Sequence, residues 1–172
     1  MTSNSLTELI AEADERALAA SGLACLDRCL PLLADESDAL RPLWSGIAAG
    51  EDGWTERLAD ARAALDAAPA ADQAAAPVRR MIGAAPSEWV AGHLAEWAKA
   101  CSALALEVHR DLDPSGGEDG PLVAGERRRQ IQILEILTAT EGGTGLRRAM
   151  DLSTEGRRVL RAALSRRARA RP

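Results

Sequence analysis

Between Ser87 and about Leu112, apolar residues recur at alternating steps of four and three: Val90, Leu94, Trp97, Cys101, Leu104 and Val108. At about 3.6 residues per turn this spacing draws one narrow apolar seam along a helix. A seam of this kind needs a partner helix to cover it. Glu88, Lys99 and Arg110 fall opposite the seam, and Pro86-Ser87 opens the segment, which is expected to be the longest helix. The rest of the chain offers the same building material. It has no Phe and no Tyr, and Trp44, Trp54, Trp89 and Trp97 are its only aromatics. Leu, Ala, Val and Ile must fill the interior. Ala and Leu lead the helix propensities, whereas aromatic and β-branched residues favour strands. The expected fold is all-α: an antiparallel bundle of five to eight helices in a single domain, long enough at 172 residues to bury a core.

Other helices can be placed around the seam. Ser5 and Glu8 form a capping box ahead of Leu6, Leu9, Ile10, Ala13, Ala17 and Ala20, which share one face, and Ser21-Gly22 is the expected stop. The segment "LACLDRCLPLLA" holds Pro31, so it is read as kinked or as two short helices, and Pro42 raises the same question. Gly53 to Ala68 reads as a helix with Leu58, Ala61 and Leu65 inward. "PAADQAAAPVRRMIGAAP" reads as a linker with one short helix around Val78–Ile82. After the loop "DPSGGEDGP", the helix "ERRRQIQILEILTATEG" carries Ile and Leu around most of its circumference and is expected to be central. A short helix should end at Met150. Ser153 or Thr154 should then start a basic amphipathic helix, giving a bundle over 1–152 and a helix over 153–172 packed on it or trailing from it.

Charge is distributed unevenly. Residues 1–125 hold 21 acids against 9 bases, and residues 126–172 hold 5 acids against 12 bases, within a net charge of −5. Arg157, Arg158 and Arg161 line one face of the last helix, and Glu12, Asp14 and Glu15 stand on the first. These six are the candidate partner-binding residues. The basic helix is expected first to neutralise the acidic part of its own bundle. Next it would suit an acidic protein surface. Nucleic acid or an anionic membrane comes last, because no aromatic interleaves the arginines and the acidic remainder repels a polyanion. A homo-oligomer is also compatible with this polarity.

No run of 18 apolar residues exists, so no membrane span is expected. The N-terminal "MTSNSLTELIAEADER" lacks the basic and greasy regions of a signal peptide, and Cys25, Cys29 and Cys101 are an odd count suited to a reducing compartment. The expected location is cytoplasmic.

Candidate chemistry is sparse. "HRDL", His109 to Leu112, spells the core of a kinase catalytic loop, but Gly116 stands where a metal-holding Asn belongs, and the single lysine, Lys99, lies inside the long helix. His109 and Arg110 are read instead as cations at a helix C-terminus. "PSEWVAGHLAEW", Pro86 to Trp97, resembles a helix of DinB-like bundles, a family of four-helix metal-dependent thiol transferases and related proteins. The resemblance implies His93 as a metal ligand. The family's later H-x-x-x-H pair has no counterpart, since His109 is the only other histidine. On its own residues, His93 reads as partly buried between Trp89 and Trp97, and these three are the candidate lining of a ligand pocket. Cys25, Cys29 and Cys101 with His93 have the makings of a zinc site, although an i, i+4 thiol pair in an apolar helix suits core packing better. No catalytic residue and no cofactor is assigned. The expected function is that of a non-enzymatic helical interaction module of regulatory, adaptor or immunity type. The alternatives are a small-molecule or metal-binding bundle around His93 and a nucleic-acid binder.

Overall fold

The computed structural model describes residues 5–33, 38–67, 73–116, 120–139 and 143–171. Among these, eight α-helices and no strand are found: α1 (Leu6–Glu12), α2 (Glu15–Cys29), α3 (Arg41–Ala49), α4 (Trp54–Asp66), α5 (Ala76–Ala84), α6 (Ala91–Leu112), α7 (Pro121–Ala139) and α8 (Gly143–Ala170). The fold is an all-α multi-helix bundle, as the seam and the composition predict.

The N-terminal capping box forms, with the Glu8 N–H donating to Ser5 Oγ and the Ser5 N–H donating to Glu8 Oε2. The helix it starts is shorter than expected. Ala13 is extended, and the Asp14 carboxylate accepts from the Ala17 N–H at 2.8 Å to start α2. Ser21-Gly22 does not stop the chain either. α2 runs through it to Cys29, where Pro31 converts the chain to a 3₁₀ turn over Leu30–Leu32. Glycine survives inside α2 because α6 crosses there: a Cβ on Gly22 would stand 2.8 Å from a ring carbon of Trp97.

Every residue of α2 from Ala17 to Cys29 is buried, and α2 packs against α6, α8, α7, α3 and α5. The central helix is thus α2, not α7, in which Ile131, Ile136 and Leu137 are only half-buried. On α6 the seam residues Leu94, Trp97, Cys101, Leu104 and Val108 are buried as expected. Val90 caps the helix from outside and is 45% exposed, so α6 begins at Ala91 rather than Ser87. α6 and α7 run antiparallel: Ser102 meets Gln130, His109 meets Glu126, and Asp113 Oδ2 accepts from the Leu122 N–H.

Three further expectations are corrected. Pro42 lies in the first turn of α3, where its missing N–H costs nothing, so it kinks no helix. α5 contributes Val78, Met81 and Ile82 to the core and is no mere linker insert, while residues 69–72 of the expected linker lie outside the described set. The break before Ser153 or Thr154 is absent. Their hydroxyls donate to the carbonyls of Ala149 and Met150 within one continuous α8, which at 28 residues is the longest helix.

All three deeply buried indoles find acceptors: Trp44 on Asp27, Trp54 on the Pro86 carbonyl and Trp97 on the Met81 carbonyl. Trp54 meets Trp89 and Trp97 edge-on, with ring centroids at 5.2 and 6.2 Å. Arg16 and Arg62 donate to the last carbonyls of α3 and α5, each joining two helices through a C-terminal cap.

The α2–α6 crossing yields a prediction. Gly22→Ala should lower stability by about 1–3 kcal/mol through overpacking against Trp97. Gly92→Ala, which meets nothing within 4 Å, should be neutral or stabilising in the same urea titration.

Candidate functional site

Along its buried stretch from Ala17 to Cys29, α2 carries only two charged residues, Asp27 and Arg28, and both face neighbouring helices. Arg28 is fully buried and meets the fully buried Glu126 of α7. Its Nε donates to both carboxylate oxygens (3.1 and 2.9 Å) and its Nη2 to Oε1 at 2.7 Å. The pair binds residues 98 positions apart. Gln130 Nε2 also donates to Glu126 Oε1, and Ser102 Oγ donates to Gln130 Oε1 at 2.6 Å, which draws α6 into the network. Gly156 of α8 closes over it: a Cβ there would lie 2.8 Å from Arg28 Cγ and 3.3 Å from Arg129 Nε.

Beside this pair, Asp27 accepts from Trp44 Nε1 at 3.1 Å and pairs with Arg157 of α8 at 3.0 Å. Asp27, Trp44 and Arg157 line a small cavity of about 110 Å³ together with Arg41, Met150 and Thr154. Burial raises the Asp27 carboxyl above its ordinary range despite Arg157. For Glu126, burial is outweighed by Arg28, His109 and Gln130 acting together, which hold the carboxyl down at about 2.

His109 is a correction. It is not a charged group complementing the C-terminus of α6 but fully buried, with Nδ1 donating to the Ala105 carbonyl at 2.7 Å and Nε2 3.5 Å from Glu126 Oε2. Burial lowers its pKa below the usual histidine value, only partly opposed by Glu126, so the neutral ring is favoured. Asp111, the would-be kinase base, is exposed at the end of α6. Glu126 has no exposed surface, so no substrate reaches it from solvent.

The other sequence candidates are dispersed. His93 is not packed between tryptophans: its side chain is 60% exposed and sits 3.7 Å from Glu88. Trp97 is buried and Trp89 half-buried. The groove of about 360 Å³ at that end is lined by Glu51, Trp54, Glu88, Trp89 and Val90, among others, but by neither His93 nor Trp97. Cys25, Cys29 and Cys101 are buried free thiols close enough to influence one another. Burial pushes Cys25 up to about 12 and the other two well above the ordinary thiol range. Among the described residues, no group of three or more His, Cys, Asp or Glu is placed to hold a metal ion.

Of the six charged candidates, Arg157 is committed to Asp27, and Asp14 caps α2. Glu12, Glu15, Arg158 and Arg161 are exposed. Sequence reasoning missed the Arg28–Glu126 network. The available clue was the "DR" pair at 27–28 inside an otherwise apolar run. No protein-family model, curated protein or solved structure matches the chain.

The network predicts acid sensitivity. Glu126 has a folded pKa below its unfolded value, so its stabilisation is complete above about 4.5 and is lost as pH falls towards about 2. His109 is also lowered, so its contribution declines as pH drops below about 6.5. Asp27, raised in the fold, offsets part of the loss at low pH. Melting temperature should therefore fall steadily from about pH 7 to pH 3. Glu126→Gln should cost about 3–5 kcal/mol at neutral pH, because it strands the Arg28 charge, and should flatten the acid limb.

Proposed function

We propose that the protein is a non-enzymatic helical interaction module, regulatory or adaptor in role, that holds an acidic protein surface with the tip of α8. One observation carries this reading. From Ser165 to Arg171 every residue is exposed, although the chain stays helical through Ala170. Arg166, Arg167, Arg169 and Arg171 lie on this stretch and make no ion pair among the described residues. No acid follows Glu155.

At about 100° per residue Arg166, Arg167 and Arg169 spread over roughly half of the helix circumference, and Arg171 follows just past its end. A helix end basic over so wide an arc suits a cleft with acidic walls better than a flat surface, which would engage a narrow stripe alone. The acid-rich body behind the tip orients approach, since it repels polyanions and turns the basic end towards an acidic partner. The same repulsion, with no aromatic on α8 to stack bases, weighs against nucleic acid. The exposed Arg158 and Arg161, one to two turns back, extend the basic surface towards the bundle.

The test compares the full chain with an Arg166→Glu, Arg167→Glu, Arg169→Glu, Arg171→Glu variant as immobilised baits in lysate of the source organism. Because the tip buries nothing, both baits should melt at the same temperature. The expected outcome is an acidic protein retained by the wild-type chain, lost from the variant and released by about 0.5 M salt. The reading fails if both baits retain the same proteins. It fails equally if the wild-type chain shifts duplex DNA or RNA at about 50 mM salt.

A further inference from the structure

We propose that the face of the polar network between α7 and α8 is a binding site for a phosphate-type oxyanion, free or as a monoester, seated over Gly125 between the guanidinium groups of Arg128 and Arg129. The site is independent of the α8 tip.

Three observations converge on it. Gly125 is buried in the interior of α7, yet nothing in the protein itself calls for glycine there. Its φ is not positive, and the nearest atoms to an added Cβ are at ordinary contact distance. Those atoms are all guanidinium nitrogens: Nη1 and Nη2 of Arg129 at 3.6 Å and Nη2 of Arg128 at 3.9 Å. The space over Gly125 is therefore walled by donors from two cations.

The second observation is that Arg129 is 8% exposed and lacks acceptors. Its Nε and Nη2 are buried and find no hydrogen-bond partner among the described residues, and neither does Arg28 Nη1. A buried charged donor left without an acceptor is costly, so such groups call for an occupant. The nearest carboxylate, Glu126, stands 3.7 Å from Arg129 Nε and is already committed to Arg28 and Gln130.

The third observation is charge. Arg129 feels Arg28 and the carboxylates of Glu126 and, from α8, Glu155, so these four charges balance. Arg128, whose Nη2 stands 3.9 Å from the same point over Gly125, adds one positive charge. The planar fork of a guanidinium matches two oxygens of a tetrahedral oxyanion, and two forks around one ion are a strong arrangement. Arg128 is exposed, so the ion enters on that side, and the organic part of a monoester would leave past it.

Gly125→Ala supplies the test, because it fills the space while leaving every charge in place. Melting is followed for the full chain in inorganic phosphate, in O-phosphoserine and in chloride at matched ionic strength. About 20 mM phosphate should raise the wild-type melting temperature by about 3 °C over chloride. Gly125→Ala should melt higher than wild type in chloride, through helix propensity, and lose the phosphate response. Arg128→Gln, at an exposed position, should also weaken the response. An equal response to O-phosphoserine assigns the site to monoesters, and a response to phosphate alone assigns it to the free ion. The proposal is overturned if phosphate acts no better than chloride on the wild-type chain. It is also overturned if Gly125→Ala responds as strongly as wild type.

Discussion

The bidentate contact between Arg28 and Glu126 is the constraint on which the arrangement of the other helices depends. Two charges with no exposed surface survive only if each finds nearly all of its hydrogen bonds inside the protein. Glu126 needs Arg28 from α2 and Gln130 from its own helix. Gln130 in turn needs Ser102 from α6, and Gly156 lets α8 lie against the arginine stem. A shift of any of these helices by one residue would rotate a partner away and leave a bare charge in the core. Leucine and alanine pack in many registers with little difference in energy, whereas this network accepts one. The apolar seam brings the helices together, and the ion pair fixes how they sit.

Close approach is the second theme, and it follows from the aromatic-poor core. Small side chains let α2 pass near its neighbours, with Gly22 under Trp97 and Gly156 over Arg28. Tryptophan fills the volume that missing Phe and Tyr would have filled, and each deeply buried indole N–H is tied to a neighbouring segment. Arginine does related work at helix ends, where Arg16 and Arg62 satisfy carbonyls that water would otherwise have to solvate. Much of the basic charge counted in the N-terminal part of the chain is thus occupied in holding one helix to the next.

The helical class and the inward face of α6 were legible because they rest on periodicity, which is local. The capping box at Ser5 and Glu8 was legible for the same reason. The misplaced boundaries have a common cause: Ser21-Gly22, Ser153 and Thr154 are residues whose local preferences favour an end, and tertiary contacts overrode them. Gly22 is held by the Trp97 crossing, and the two hydroxyls bond back to the preceding turn. The charged core was not legible, since Arg28 and Glu126 lie 98 residues apart and no spacing rule connects them. His109 was misread for the same reason: its position near a helix end suggested a cation at the helix C-terminus, and only the packing of α7 against α6 shows it buried against Glu126.

The three thiols carry a consequence of their own. Each is sealed in the core and held protonated by burial, so alkylating reagents and peroxide cannot act on the intact molecule. Chemistry at sulfur must wait until α2 separates from α6, and its rate then counts opening events. These cysteines form a clock for local unfolding at the bundle's centre, running fast in molecules whose central charge pair has come apart and nearly stopped in the rest.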